Sequence, residues 1–408
     1  MTVFGPGLRG TLKAVLAQPT LVARWLWQPD IRTYLSGLLA TGGFISLFSP
    51  LVLLLTAPVL AINVFSQWSW TYSEGAHYSA SLVPFIIVSA IYGVAFVAGR
   101  LQRWGSLRRK TAIVLLSGLV LAVSLTHHWQ VGMTPLGRNF HWPQVTAHDR
   151  LAQEFIAMIP PDAALSAQAN LYPHVALRRK AYLFPAVEDA EYVFLDVTSP
   201  TYPIDVPGLR GEVIGLLDVG GFGVLRAQDG YLLLKRGLPP GWEQLENAAF
   251  LSFARGAVPP DAHRMSFLFG DALELVGYEY DIHNTVTAGQ PPATITTYWR
   301  RLRKLQDGYE LAFYFTREDG AVVGQHASSM STAVTAWYPS WAWRAGETVR
   351  SETPVLAVGR GRGVLVAVVT PSGDPAATAD RVAPIVGQTV GPQEILQGRT
   401  LLKLFVFP

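Results

Sequence analysis

The chain of 408 residues contains no cysteine, which excludes disulfide bonds, thiolate zinc sites and thiol catalysis. We also expect no cleavable signal peptide, because Pro6, Pro19 and Pro29 interrupt an N-terminal segment that lacks a compact apolar core before a small-residue cleavage site. After residue 130 there is no basic stripe with interleaved aromatic residues, so nothing indicates nucleic-acid binding.

Charged residues are also missing from a long stretch near the N-terminus. None occurs between Arg32 and Glu74, and two further apolar runs follow. A helix needs about 20 apolar residues to cross a bilayer. We therefore predict an α-helical transmembrane region over residues 1–130, with spans at about 34–65, 81–99 and 111–128.

The first apolar run is long for one span, and Pro50 and Pro58 interrupt it. A single tilted and kinked helix is the favoured prediction, and two short helices or a re-entrant pair are the alternative. Before this run, residues 8–27 combine Leu, Val and Trp with three basic residues. This composition predicts an amphipathic helix in the membrane interface, with a poorly ordered tail as the alternative.

The basic residues are concentrated around the apolar runs. Residues 1–110 hold nine Lys or Arg and two acidic residues, and since the whole chain carries +3, residues 111–408 carry a net charge of −4. Five of the basic residues lie at 100–110, between the second and third runs. The positive-inside rule places that loop in the cytoplasm and everything after residue 130 outside it.

The rest of the chain divides into two patterns. Helix and strand signals alternate over residues 131–237, which predicts a small extracytoplasmic α/β domain with helices at 146–159 and 170–179. From residue 238 helical periodicity disappears and short strands recur, which predicts a C-terminal all-β sandwich of the jelly-roll type. The best strands there are 273–281, 293–300, 309–316, 321–326, 363–369 and 401–407, and residues 371–395 are predicted to form a long loop. The predicted fold class is a multi-domain membrane protein.

Several segments resemble a known family in their order and spacing. They are the stretch from Pro19 to Phe65, HYSASLVPF at 77–85, LSAQANLYPHVALRR at 165–179, YLFP at 182–185 and EYVFLDV at 191–197. Together they resemble the second half of an uncharacterised bacterial family of predicted membrane proteins (domain of unknown function twenty seventy-nine), over roughly residues 8–237. The segments at 275–280, 294–300, 318–320 and 337–349 resemble a separate β-sandwich appended to such proteins, an accessory domain for which carbohydrate binding is one use.

The resemblance implies a GT-C-type membrane glycosyltransferase that takes sugar from a polyprenyl-phosphate carrier at the bacterial cytoplasmic membrane. Enzymes of this class carry their catalytic acid in the first extracytoplasmic loop, and no such segment is found in this chain. We therefore expect that a partner subunit or a preceding segment supplies the catalytic half, or that catalysis has been lost. The alternative is a non-enzymatic membrane-anchored protein that binds glycan or acts as a scaffold.

Three residues outside the second span are candidates for binding the carrier phosphate or the sugar: Glu74, His77 and Tyr78. Ionisable residues close to a bilayer are functional candidates by default. The alternative is that the two rings are interfacial anchors.

A second candidate group lies in the LSAQANLYPHVALRR segment. Asn170 is predicted to cap a helix on which His174 and Arg178 are four residues apart on one face. This face is a candidate for substrate binding, although a capped helix with a solvated polar face is the favoured interpretation. Asp196 ends an apolar strand, where a turn or capping role is favoured.

The third group is aromatic. Trp337, Trp341 and Trp343 are candidates for stacking on sugar rings, and the favoured alternative is that they fill the core, because alternate residues of an extended segment point to the same side. His127 and His128 resemble half a metal site, but adjacent residues on a helix face different directions. We expect no metal and no cofactor.

Overall fold

The structure is a computed structural model of the chain. It describes all residues except 1–6, 67–68, 74–76, 106, 141, 143, 283–292, 317–320, 324–331, 354–362, 372, 375–376, 387–394, 397–400 and 407–408. The chain forms two compact units, Met1–Pro143 with His283–Pro292, and Gln144–Ile282 with Ala293–Pro408.

The first unit is helical. Its helices are α1 (Gly7–Ala17), α2 (Pro19–Leu26), α3 (Pro29–Thr41), α4 (Pro50–Leu53), α5 (Ala57–Phe65), α6 (Val83–Arg103) and α7 (Arg109–Val131). Among the described residues, α6 and α7 are the two helices long and apolar enough to cross a membrane. The predicted spans at 81–99 and 111–128 fall on these two helices.

Proline occupies the first position of several of these helices. The predicted interfacial helix at 8–27 is two helices, because Pro19 starts α2 and lacks the amide hydrogen that a continuous helix would use. Pro29 and Pro50 stand in the same way at the starts of α3 and α4.

The segment at 34–65 differs from the single kinked helix that the sequence favours. Helix α3 ends at Thr41, and Gly43 and Phe44 both have a φ of 60° in the left-handed region, which a helix cannot contain. A short 3₁₀ helix follows at Ile45–Phe48, and from Pro50 the chain continues through α4, a second 3₁₀ turn and α5 to Phe65. The number of times this segment crosses the membrane stays a prediction.

The second unit begins with a mixed sheet of five strands. Its helices are α8 (Ala147–Ala157), α9 (Tyr172–Val175) and α10 (Val206–Asp218), and its strands are β1 (Leu165–Ala167), β2 (Ala181–Leu183), β3 (Tyr192–Asp196), β4 (Phe222–Gln228) and β5 (Tyr231–Arg236). The strand order is β2-β1-β3-β5-β4. Strand β1 is parallel to β2 and β3, whereas β5 is antiparallel to β3 and β4. The carboxyl ends of β1 and β3 therefore share one edge of the sheet with the start of β5.

Helix α8 begins as its sequence predicts. The Thr146 hydroxyl accepts a hydrogen bond from the backbone amide of Asp149, whose carboxylate accepts one in return from the amide of Thr146. This capping box satisfies two amides that the first turn would otherwise leave without partners.

The remaining strands form two further sheets, one of five and one of six strands. They are β6 (His263–Phe269), β7 (Leu273–Ile282), β8 (Ala293–Arg301), β9 (Glu310–Thr316), β10 (Val322–Val323), β11 (Val349–Glu352), β12 (Gly363–Val369), β13 (Arg381–Val382), β14 (Pro384–Val386), β15 (Ile395–Leu396) and β16 (Leu401–Val406), with helix α11 (Ala333–Trp337) between β10 and β11. One sheet has the order β11-β8-β7-β6-β14. The other has the order β10-β9-β12-β16-β15, with β13 also paired to β12.

Most of the strongly patterned strands of this half lie where the sequence predicts them. The predicted loop at 371–395 is different, because Pro384–Val386 pairs with β6 and Arg381–Val382 pairs with β12. These strands are only two or three residues long, too short to show the alternation of apolar and polar residues that predicts a strand. The segment at 318–320, part of the resemblance to an appended β-sandwich, lies outside the described residues.

The three sheets of the second unit contribute to one core. Val193 of β3, Trp299 of β8 and Phe313 of β9 belong to the same cluster of buried side chains. A smaller cluster, centred on Phe155 and Phe194, joins α8 to the five-stranded sheet. The predicted domain boundary at residue 237 lies inside this unit, and the domain division stays a prediction.

Candidate functional site

The first unit contains a groove of about 520 Å³ between α3, α6 and α7. This volume is within the range of small-molecule sites. Its walls are largely apolar, and polar side chains are placed at intervals along it. The lining residues are Gly37, Leu38, Thr41, Ser79, Val83, Ser124, Leu125, His127, His128, Val131, Gly132 and Met133.

The polar lining residues have defined positions on the helices. His127 and His128 lie in the last turns of α7, and Ser79 lies four residues before α6, so these three mark one end of the groove. Ser124 is one helical turn deeper, and its hydroxyl donates to the carbonyl oxygen of Thr41 at 2.9 Å. The groove thus combines largely apolar walls with polar side chains at this end and, deeper, at Thr41 and Ser124.

Of the three candidate residues outside the second span, two are described. Glu74 lies outside the described residues. The rings of His77 and Tyr78 stack with centroids 4.4 Å apart. The carbonyl oxygen of Tyr78 accepts a hydrogen bond from Asn63 at 3.1 Å, so the backbone here is fixed to α5. Ser79, the next residue, lines the groove.

The candidates in the LSAQANLYPHVALRR segment lie in the second unit. The predicted helix at 170–179 is only the single turn α9, with Leu171 rather than Asn170 at its N-cap and no side-chain cap. Asn170 and His174 are exposed. Arg178 donates to the carbonyl oxygens of Ile159 and Pro160, which follow the end of α8. Its contacts are those of a structural anchor, and the predicted shared face does not form because the helix is too short.

The three tryptophans differ in exposure. Trp337 and Trp343 are 8% and 2% exposed and belong to the core, so of the two interpretations only the favoured one, core packing, fits these two residues. Trp341 is 49% exposed. Its carbonyl oxygen accepts a hydrogen bond from Arg301 at 2.9 Å, which ties it to β8.

The sequence did not identify a polar cluster at the carboxyl edge of the five-stranded sheet. The imidazole of His148 lies between two carboxylates, with Nδ1 2.8 Å from Asp229 and Nε2 3.3 Å from Asp196. Its ring stacks on Tyr231, with centroids 4.2 Å apart. Helix α8, strand β3 and the turn before β5 supply these groups, which are far apart in the chain and give no local signal.

Asp196 is the centre of this cluster and is only 1% exposed. Its carboxylate accepts hydrogen bonds from the amide and hydroxyl of Thr198 at 3.0 and 2.6 Å and from the hydroxyl of Ser199. Its own amide donates to Gln168 at the end of β1. The favoured turn role of Asp196 is consistent with the bonds to Thr198 and Ser199.

The cluster is arranged for structural stability rather than proton transfer. Burial acts to lower the pKa of His148, but its hydrogen bonds and charge interactions with Asp196 and Asp229 outweigh burial and raise the pKa to about 9. A histidine that is already protonated at neutral pH, with both nitrogens occupied, is a poor general base. Among the described residues, no group of three or more His, Asp or Glu side chains is arranged to hold a metal ion.

Comparisons with known proteins give one match. No curated protein and no solved structure matches the chain. A model of the family described as "Predicted membrane protein (DUF2079)" matches residues 2–233, which is more than half of the chain. The match includes both apolar helices, α6 and α7, and the whole groove. The chain therefore belongs to this family of predicted membrane proteins.

Proposed function

We propose that the chain is the carrier-binding part of a GT-C-like integral membrane glycosyltransferase. It holds a polyprenyl-phosphate sugar in the groove between α3, α6 and α7, while a partner subunit or a preceding segment supplies the catalytic acid. The observation that carries this proposal is the groove itself, which has largely apolar walls and, at one end, the polar side chains of Ser79, His127 and His128. The apolar walls suit an isoprenoid chain, and the polar side chains suit a phosphate headgroup.

The charge distribution supports an extracytoplasmic position for the polar end. Arg100, Arg103, Arg108, Arg109 and Lys110 surround the connection between α6 and α7, at the ends of these helices opposite to His127. The positive-inside rule favours the cytoplasm for this connection. In this arrangement the bacterial cytoplasmic membrane contains α6 and α7, and the second unit is extracytoplasmic.

The test is binding of a fluorescent polyprenyl phosphate to the full chain in lipid nanodiscs, with the matching polyprenol as a phosphate-free competitor. We expect His127→Ala and His128→Ala together to weaken binding by about tenfold, which corresponds to about 1.4 kcal/mol. His263→Ala, at an exposed histidine of β6, is the matched control. Equal binding of polyprenol and its phosphate, or no effect of the double variant, would refute the proposal.

The exposure of Trp341 supports a second candidate function, glycan binding without catalysis. Aromatic faces that remain in contact with water can stack on the apolar faces of sugars, and Trp341 meets this condition whereas Trp337 and Trp343 do not. The test is glycan-array binding of the full chain. Loss of binding in Trp341→Ala, with Trp242→Ala (38% exposed) as the control, would favour this function.

A further inference from the structure

Residues 29–65 form a helical hairpin whose two ends lie together. Helix α3 is one arm, and the segment Pro50–Phe65 is the other. Near the end of the second arm, Asn63 donates to the hydroxyl of Tyr34 at 3.0 Å and to the carbonyl oxygen of Tyr78 at 3.1 Å. Trp25, just before the first arm, donates to the carbonyl oxygen of Val64 at 2.8 Å. Both ends are therefore close to the start of α6.

The tip of the hairpin reaches only about halfway along the two long helices. A Cβ atom on Gly93 would collide with the carbonyl oxygen of Ile45, and one on Gly43 would lie 2.7 Å from Cα of Val120. Gly93 and Val120 are ten and eleven residues from the ends of α6 and α7 that lie near Tyr78. At 1.5 Å per residue this is a depth of about 15 Å, half the thickness of a hydrocarbon core.

Three carbonyl oxygens at the tip accept hydrogen bonds from hydroxyl groups of the long helices. Ser89 of α6 donates to the carbonyl oxygens of Ser46 and Ser49 at 2.8 and 3.0 Å. Ser124 of α7 donates to the carbonyl oxygen of Thr41 at 2.9 Å. Irregular backbone is tolerated at membrane depth where protein groups replace water in this way.

The opposite face of the hairpin is apolar and exposed. The side chains of Leu47, Phe48, Leu51, Leu54 and Leu55 are between 52% and 79% exposed. No charged residue occurs between Arg32 and Glu74 to oppose burial of this face in lipid.

We propose that residues 29–65 are a re-entrant hairpin that enters the bilayer from the side of Tyr78, stops near its middle and returns to the same side. Its exposed face contacts the acyl chains of that leaflet. The partner of this surface is the lipid bilayer, and the inference holds whether or not the groove binds a sugar carrier. Thr41 and Ser124, at the tip, then form the floor of the groove.

The absence of cysteine makes a direct test possible, because single cysteines can be introduced into a chain without any. Trp27→Cys, Trp104→Cys, Trp129→Cys and Phe48→Cys, all at sites at least half exposed, are expressed in full chains and probed in sealed, uniformly oriented vesicles with a membrane-impermeant maleimide. Arg24→Cys and Leu51→Cys are second variants for the first arm and the tip.

Each topology gives a different labelling pattern. In a re-entrant hairpin, positions 27 and 129 are labelled from the same side, position 104 from the opposite side, and position 48 only after detergent is added. Labelling of positions 27 and 104 from the same side would mean one crossing and would overturn the inference. Labelling of position 48 from the side of position 104 would mean two full crossings and would overturn it equally.

Discussion

The imidazolium of His148 lies between two carboxylates, those of Asp196 and Asp229. The pKa of His148 is about 9 in the folded protein against about 6.5 in an unfolded chain, so the folded state binds this proton more tightly. Its contribution to stability is complete below about pH 6.5 and is lost as the pH rises through 9.

We expect the free energy of unfolding to fall by up to about 3 kcal/mol between pH 6 and pH 9.5 because of this group. Denaturant unfolding of the full chain, followed by tryptophan fluorescence at several pH values, measures the change. His148→Gln keeps a hydrogen-bonding side chain but removes the titration, so its pH dependence should be much flatter. Equal slopes for the two proteins would contradict the assignment.

Loss of the buried carboxylate of Asp196 should destabilise the protein more than loss of an exposed carboxylate. In Asp196→Asn the amide nitrogen faces hydrogen-bond donors and the charge opposite His148 is lost, so we expect a destabilisation of about 2–4 kcal/mol. Asp189→Asn is the matched control, since its ion pair with Lys180 is half exposed and surface pairs contribute little. The difference between the two variants in denaturant midpoint is the measurement, and equal midpoints would count against the cluster.

Among the elements, the packing of the hairpin tip against α6 depends on one glycine. Gly93→Ala adds a methyl group where the carbonyl oxygen of Ile45 already lies, and we expect a loss of about 1–3 kcal/mol. Gly118→Ala on α7 is the matched control, because nothing lies within 4 Å of its added Cβ and alanine is the better helix former. Thermal unfolding in detergent should show a lower midpoint for the first variant only. A neutral Gly93→Ala would show that the two segments are not in contact.

How far the sequence predicts these elements depends on whether their signal is local. The apolar length of α6 and α7 and the run of β-branched residues in β12 are local signals, and these elements lie where they are expected. The break at Gly43 and the collapse of the helix at 170–179 into a single turn depend on tertiary contacts. The polar cluster could not be predicted, because 81 residues separate His148 from Asp229.

For the whole molecule, we expect the chain to remain in the membrane fraction after extraction with alkaline carbonate. Leu121 lies in the middle of α7 and is 60% exposed. Leu121→Lys would place a charge at mid-membrane, which raises the free energy of inserting the helix by about 3 kcal/mol. We therefore expect this variant to reduce the retained fraction. Val219→Lys, 89% exposed in the second unit, is the control and should leave it unchanged. Full release of the unaltered chain by carbonate would exclude membrane integration.

The position of β16 has a consequence for synthesis of the protein. Leu401–Val406 does not sit at a sheet edge but between β12 and β15, where Leu402 and Leu404 are buried. A ribosome therefore has to complete the chain through residue 406 before this sheet can close. Until then residues 363–366 of β12, the part that pairs with β16, present unpaired backbone groups beside hydrophobic side chains, which is a template for aggregation. Stop codons shortly before residue 401 should thus yield products that proteases remove, although every upstream residue is present.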